Sequence, residues 1–426
     1  MGILRSFTIG VSGLNASGQG MGVIGDNIAN AGTIGFKSSR AEFQDVLAVS
    51  LKGIEGGDQF GAGTKLGHIK PMMTQGDITR TESVTDLALS GDGMFTIDAP
   101  AGRCYTRDGS FHFDKDGQLT TMDGYKILGF QADESGTMLN KVDAIKLGNT
   151  TIAAKATKEV SMSMNVDSRM NVTEFNIEKP EKTSNFSNSM TIYDNIGTAR
   201  VVTAYYNKTD NNTWEYHIGV DGKDVEGGKP DTMHEMASGT LLFNDKGQLQ
   251  EEKPKKNSFN FNKGASPDQK INLNWGVSIK EGGNGLDAST QYGSDTAVAR
   301  HTQDGSSAAT LTSLSFNDKG VLTANYNNGE TRDIAQVAVA KFENNEGLFK
   351  IGKNLFKESK SSGQAALGKP GETGRGEILS KSVELSNVDI ANEFVNLMTA
   401  QRNFQANAKT LTTADQMLQE VLQIKR

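Results

Sequence analysis

Apolar residues recur every seven positions at both ends of this 426-residue chain and every two positions between them. Near the start, Phe7, Leu14, Met21 and Ile28 keep a spacing of seven, with Ile3 and Ile24 in the intermediate heptad position. Near the end, Ile390, Leu397, Phe404, Leu411 and Leu418 do the same, and Ala400, Ala414 and Val421 fill the intermediate positions. An apolar repeat of seven held over four heptads keeps one seam turned to a partner helix, so it predicts coiled-coil helices rather than the stripe of a short globular helix. "SNVD" at 386–389 predicts where the second helix starts, with Ser386 or Asn387 as N-cap and Asp389 facing the helix dipole in the first turn.

The first of these helices is chemically unusual. Gly10, Gly13, Gly18, Gly20, Gly22 and Gly25 fall inside its heptads. Each costs about 1 kcal/mol relative to Ala in a helix, so its order has to come from packing against other helices. Residues 1–36 carry only Arg5 and Asp26 as charges, and Gln401, Asn403, Gln405 and Asn407 occupy outward positions of the second helix. A water-facing helix usually wears Glu and Lys; neutral amides suit a face that meets protein. From the pattern alone that partner is either another copy of the chain or the opposite end of the same one, in a two-helix stalk.

Between the ends, "GDGMFTIDA", "YTRDGSFHFDKDGQLTTMDGYKILGF" and "TAYYNKTDNNTWEYHIGVDG" alternate apolar and polar residues between Gly, Asp and Asn turns, and predict antiparallel strands. "FDKDGQL" (113–119), "FNDKGQL" (243–249) and "FNDKGVL" (316–322) repeat one hairpin, with Phe and Leu on one side and the glycine in the turn. Gly-rich stretches at 52–68 and 362–377 read as linkers that leave the β region toward the two helices. Composition shifts near 144–158 and 281–293 imply one β domain inserted into another. The fold class expected is therefore multidomain and mainly β, with antiparallel or barrel-like sheets and a discontinuous coiled-coil domain built from both termini. Its parts are 1–30 with 386–426 (helices), 31–75 with 360–385 (connector), 76–146 with 287–359 (inner β domain) and 147–286 (outer β domain).

Composition narrows the function classes. With 48 glycines the chain is turn-rich, and a net charge of −7 argues against a dedicated nucleic-acid surface. No apolar run reaches the ~18 residues of a membrane span. The first fifteen residues lack the basic, apolar and cleavage regions of an ordinary signal peptide, which fits a cytosolic protein or export by a signal-independent route. Cys104 is the single cysteine, so neither an intrachain disulfide nor a thiolate metal cluster is expected. "GMGVIG" (20–25) has dinucleotide-fingerprint spacing but no strand before it, and "GQAALGKP" (363–370) puts Pro370 where a phosphate loop needs Ser or Thr. "DKDG" (114–117) lacks the distal Glu of a calcium loop, and the five histidines show no ligand spacing. No catalytic residue, cofactor or metal is expected.

The stretch "DNIANAGTIGFKSSRAEFQD" (26–45), the blocks at 75–95 and 105–111, and "SNVDIANEFVNLMTAQRNFQANAKTLTTADQML" (386–418) resemble the bacterial flagellar axial protein family, and within it the hook proteins. Signature positions carried by that resemblance are Asn27, Ala29, Asn30, Gly35, Phe36, Lys37, Ser386, Asn387, Asp389, Gln401, Arg402, Asn403, Gln405 and Asn407. The match is weaker over about 147–286, and small departures occur at Ala31-Gly32 and Met94. The resemblance implies a non-enzymatic subunit whose paired termini pack with those of neighbouring copies into a curved, flexible tube outside the cell, joining rod to filament and transmitting torque. The partners it implies are further copies of the chain, rod proteins, the hook cap, hook–filament junction proteins and the flagellar type III export apparatus, with no nucleic acid and no membrane insertion. A distal-rod protein shares both terminal signatures, although the inserted block favours the hook; a monomeric secreted β-protein with a helical stalk is the remoter alternative.

Overall fold

Helix at both ends and strand between is the order of elements in the computed structural model, which describes residues 2–48, 60–133, 136–285 and 287–424. Helix α1 spans Gly2–Ala29, the single-turn α2 spans Pro180–Thr183, and α3 spans Ile390–Ile424. The chain divides into two compact units, one of Met1–Gly148, Ser313–Asn325 and Thr331–Arg426, the other of Asn149–Thr312 and Tyr326–Glu330.

The second unit is built on a meander. Strands Phe186–Tyr193, Ala199–Asp210, Thr213–Asp221, Met233–Phe243 and Leu249–Asn257 pair antiparallel in chain order. A three-stranded sheet, with Glu159–Asn165 between Asn272–Asn274 and Ala297–Gln303, contributes to the same core. One of its pairings is parallel, Glu159–Asn165 with Asn272–Asn274, where only antiparallel pairing was expected. Alternation does its work here: Val202, Ala204, Tyr206, Trp214, Tyr216 and Ile218 point inward and are almost fully buried. The Trp275 ring lies 4.8 Å from Tyr216 and edge-on to Tyr206, and both Trp275 Nε1 and the Tyr216 hydroxyl donate to Glu252 Oε1. Trp214 Nε1 donates to Gln291 Oε1 at 3.0 Å, so neither indole is left unpaired.

The first unit carries a branched sheet. Within it the main path takes in Val321–Tyr326, Thr331–Val337, Lys126–Ala132, Met94–Ala99, Gly102–Thr106 and Leu355–Lys357, and ends at Phe349–Gly352. The path has two ends, so the sheet is open and the barrel-like expectation does not hold. Its short strands branch instead, Val339–Lys341 and Leu119–Thr121 each leaving the main path.

The repeated hairpin has one mechanism in both units. Asp114, Asn244 and Asn317 each accept, through a side-chain oxygen, the backbone N–H groups two and four residues on. Gly117, Gly247 and Gly320 then take the left-handed conformation that closes the turn. No carboxylate cage forms at any of them.

The described parts of the stretches read as linkers include paired strands. Strand β1 (Ser39–Ala48) pairs antiparallel with β2 (Phe60–Pro71), with bulges at Glu42/Phe43 and Asp45/Leu47, so 60–68 is ribbon; residues 49–59 lie outside the described ones. The glycines serve close approach here rather than freedom. A side chain at Gly63 would collide with Ser12 of α1, whose hydroxyl accepts from Thr64 N. In the other stretch, Ala366–Gly368 pairs with Val339–Lys341. The start of α3 also differs from expectation. Asp389 is the N-cap, its Oδ1 accepting from the N–H groups of Ala391 and Asn392. Asn387 is committed elsewhere, as the next section describes.

Candidate assembly interface

Where the two helices leave the β region, signature residues converge on a buried polar junction. Lys37 and Glu384, both about 1% exposed or less, form an ion pair at 2.5 Å, and Arg107 reaches the other carboxylate oxygen at 3.0 Å. Each charge has further partners. Lys37 Nζ donates to Thr74 O, Arg107 to the carbonyls of Leu89 and Gly91, and Glu384 Oε1 accepts from Gly76 N. Burial lowers the Lys37 ammonium below its usual range, against the attraction of Glu384, which raises it. Such a network is stabilising only while complete, because removing one partner leaves another charge buried and unpaired.

Around the charges sit backbone clamps. Asn27 is 1% exposed, and its carboxamide accepts from Ser39 N and donates to Ser39 O, both at 2.8 Å, so the end of α1 is fixed to the start of β1. Asn387 does the equivalent for α3, accepting from Ser38 N and donating to Met72 O and to Thr74. Gly35 is left-handed and touches the Arg107–Asp108 backbone where a Cβ would not fit. Phe36 is buried beneath Lys350, whose ammonium lies 4.1 Å from the ring centre. Asn30 turns back on Asp26 and receives the Thr33 hydroxyl.

Beyond the junction, α1 and α3 pack antiparallel. Asn27 meets Glu393 at 3.3 Å, Gly13 abuts the Asn407 amide, and Gly10 lies beside Leu411. From Asn27 to Gly13 and from Glu393 to Asn407 are fourteen residues each, two heptads in register. Of the predicted seam, Phe7, Leu14, Met21, Ile24, Ile28, Leu397, Leu411 and Leu418 are half-buried, and the Ile3 side chain lies outside the described residues. Ile390 and Phe404 are exposed, at 48% and 40%. A strict heptad drifts by ~20° per repeat round a straight α-helix, so Ile390 lies ~80° round α3 from Leu418; the drift does not account for Phe404, which falls between the half-buried Leu397 and Leu411.

Two faces remain open. On α3, Ile390, Phe394 and Met398 stand four apart, with Val395 beside them, all about half exposed. They lie roughly 120° round the helix from the residues that meet α1. On α1, Gly18, Gly22, Gly25 and Ala29 line up at helical spacing, and among the described residues nothing beyond the helix's own backbone lies within 4 Å of where side chains on the three glycines would begin. Ala29, Gln401, Arg402, Asn403 and Gln405 are likewise exposed. Between α1, α3 and β1 a groove of about 870 Å³ runs past Ala16, Gly20, Phe43, Ala400 and Asn403. Glu384, Phe394, Val395 and Met398 were not singled out from the sequence. The four-residue spacing of 390, 394 and 398 was there to be read, whereas the pairing of Lys37 with Glu384 was not.

Almost the whole chain aligns with whole relatives. The flagellar hook protein FlgE of Escherichia coli K12 is 33% identical, covering 99% of this chain and 100% of the relative. This chain belongs to the flagellar hook protein family. The hook proteins of Salmonella typhimurium and Borreliella burgdorferi, each 32% identical over 99% of this chain, align over their whole length too. Hook-family membership makes the chain a structural subunit of the bacterial flagellar hook, outside the cell and attached to the basal body. Family models match in pieces: the flagellar basal body protein FlaE D2 domain at 165–306, the flagellar hook protein FlgE/F/G D1 domain at 88–180, and the flagellar basal body rod FlgEFG protein C-terminal at 379–424. The first of these lies within the meander unit and the last covers α3. A crystal structure of the Helicobacter pylori flagellar hook protein FlgE2 shares the fold, with a TM-score of 0.52 at 14% identity over 71% of this chain and 99% of that one.

Proposed function

We propose that the hook subunit polymerises through the outer faces of α1 and α3, its termini pairing as a coiled coil and packing with those of neighbouring copies into a tube. The observation that carries this reading is the doubled apolar width of α3. One face meets α1, and a second, of Ile390, Phe394, Val395 and Met398, is about half exposed in the single chain. The open glycine row on α1 supports it, because Gly18, Gly22 and Gly25 weaken the helix and meet no other element among the described residues. Neighbouring backbones can approach closely only over such residues. The tube so formed joins rod to filament as a flexible joint carrying torque. Rod proteins, the hook cap, the junction proteins and the type III export apparatus are its partners. Signature residues at the buried junction hold both helices at a fixed angle of departure from the β region.

Purified chain brought to polymerising salt and viewed by electron microscopy tests the reading. Wild-type protein should give curved tubes, while Phe394→Glu should stay dispersed with an unchanged unfolding transition of its β units. Tubes formed by the Phe394→Glu variant at the wild-type concentration would refute it.

A further inference from the structure

We propose that Met398 is an oxidation site through which peroxide-class oxidants stop unassembled subunits from polymerising. The proposal rests on the assembly reading above and adds a modification to it. Met398 is 52% exposed in the single chain, one helical turn beyond Phe394, and Ile390 and Val395 complete its apolar surroundings. Its thioether is therefore open to small oxidants while the subunit is free. The sulfur lone pair attacks one oxygen of hydrogen peroxide; the S–O bond forms, the O–O bond breaks, and the departing hydroxide leaves as water after proton transfer. Sulfur loses two electrons and the peroxide gains them. The product carries a strong acceptor oxygen on a face whose neighbours Ile390, Phe394 and Val395 offer no side-chain donor. Burying that oxygen against another copy is costly where burying the thioether was favourable.

Internal comparisons make the site specific. Met122 is 81% exposed on a turn of the β region, and Met417 is 50% exposed on α3. Met417 is displaced from Met398 by roughly 100° round the helix. Both should oxidise without consequence. Met94, Met162, Met164 and Met236 are buried and should stay reduced.

The test treats dispersed full-length protein with hydrogen peroxide, maps sulfoxides by peptide mass spectrometry, and then measures the concentration at which polymer sediments. Oxidised wild-type protein should need about tenfold more subunit to assemble, the cost expected for one unpaired buried acceptor. Met398→Leu, oxidised equally at Met122 and Met417, should assemble at the untreated threshold. Both methionine sulfoxide reductases with a dithiol should restore the wild type. In preformed polymer Met122 should oxidise while Met398 stays reduced. The proposal is overturned if Met398 stays reduced in dispersed protein, if oxidised wild type assembles normally, or if oxidised Met398→Leu loses assembly as well. Untreated protein that forms no polymer would instead overturn the assembly reading itself, and this proposal with it.

Discussion

The meander unit and the terminal helices solve the burial problem in opposite ways. Around Trp214, Trp275, Tyr206 and Tyr216 the meander unit closes a core that also takes in Met162, Ile218, Leu241 and Phe259. In α1 and α3, of 28 and 35 residues, the buried apolar side chains among those described are Ala16 and Ala414. Burial of apolar surface is what stabilises a fold against chain entropy. The meander unit therefore has the means to hold itself together, whereas the helices rest on each other, on the β1–β2 ribbon that Ser12 and Gly20 meet, and on the clamps at Asn27 and Asn387. The contrast teaches that one sequence can close a large core in one region and leave another with little buried apolar surface of its own, by where it places large side chains.

The comparison can be broken hardest in the meander core. Trp214→Ala should lower the stability of that unit by ~3–5 kcal/mol, as expected for loss of a buried large aromatic, with the indole's bond to Gln291 lost as well. Chemical denaturation followed by the fluorescence of the remaining Trp275 reads it, and a loss below ~1 kcal/mol would deny the core its role. Next comes the junction. Lys37→Met leaves Glu384 buried with Arg107 alone, and should cost ~3–5 kcal/mol in the first unit while sparing the Trp275 signal. If both units lost stability together, the division of the chain would be wrong.

A helix substitution should do far less to the single chain. Leu411→Ala removes a half-buried side chain beside Gly10, and should shift subunit unfolding by under ~1 kcal/mol while raising the concentration needed for assembly. A large loss in the monomer would show the helices to be self-sufficient. The smallest effect is one of pH. Burial raises the Glu252 carboxyl, against the hydrogen bonds from Tyr216 and Trp275 that lower it. A carboxyl raised in the folded state contributes stability that is complete below its unfolded pKa and is lost as pH climbs through the folded value. Glu252→Gln removes that titration and should gain on the wild type as pH climbs above the ordinary glutamate range, ~4.3. A difference independent of pH, or one that grows toward acid, would contradict the sign.

Much of the fold was legible locally. The strands Met94–Ala99 and Thr213–Asp221 fall in the stretches whose alternation predicted them, and Lys126–Ala132 and Ala199–Asp210 overlap those stretches and extend past them. The three hairpin repeats close as expected because an Asx side chain and a glycine settle a turn within five residues. Reading 60–68 as linker failed because glycine carries two meanings. It marks freedom of the chain in one setting and close approach of α1 in another, and only the neighbour distinguishes them. Asn387 was misread for a similar reason: an Asx before a helix is a local cap signal, but here its amide serves Ser38, Met72 and Thr74.

By itself the sequence determined the two terminal helices, several of the strands and the three repeated turns, since periodicity and turn chemistry act over a few residues. Only the tertiary structure decided that Lys37 answers Glu384 from 347 positions away, with Arg107 on the other oxygen from 277 away. It also decided which side of α3 is satisfied by α1 and which is left open. Charge pairing and the sharing of a helix's faces depend on distances in space, and chain order does not encode those distances until the backbone has closed.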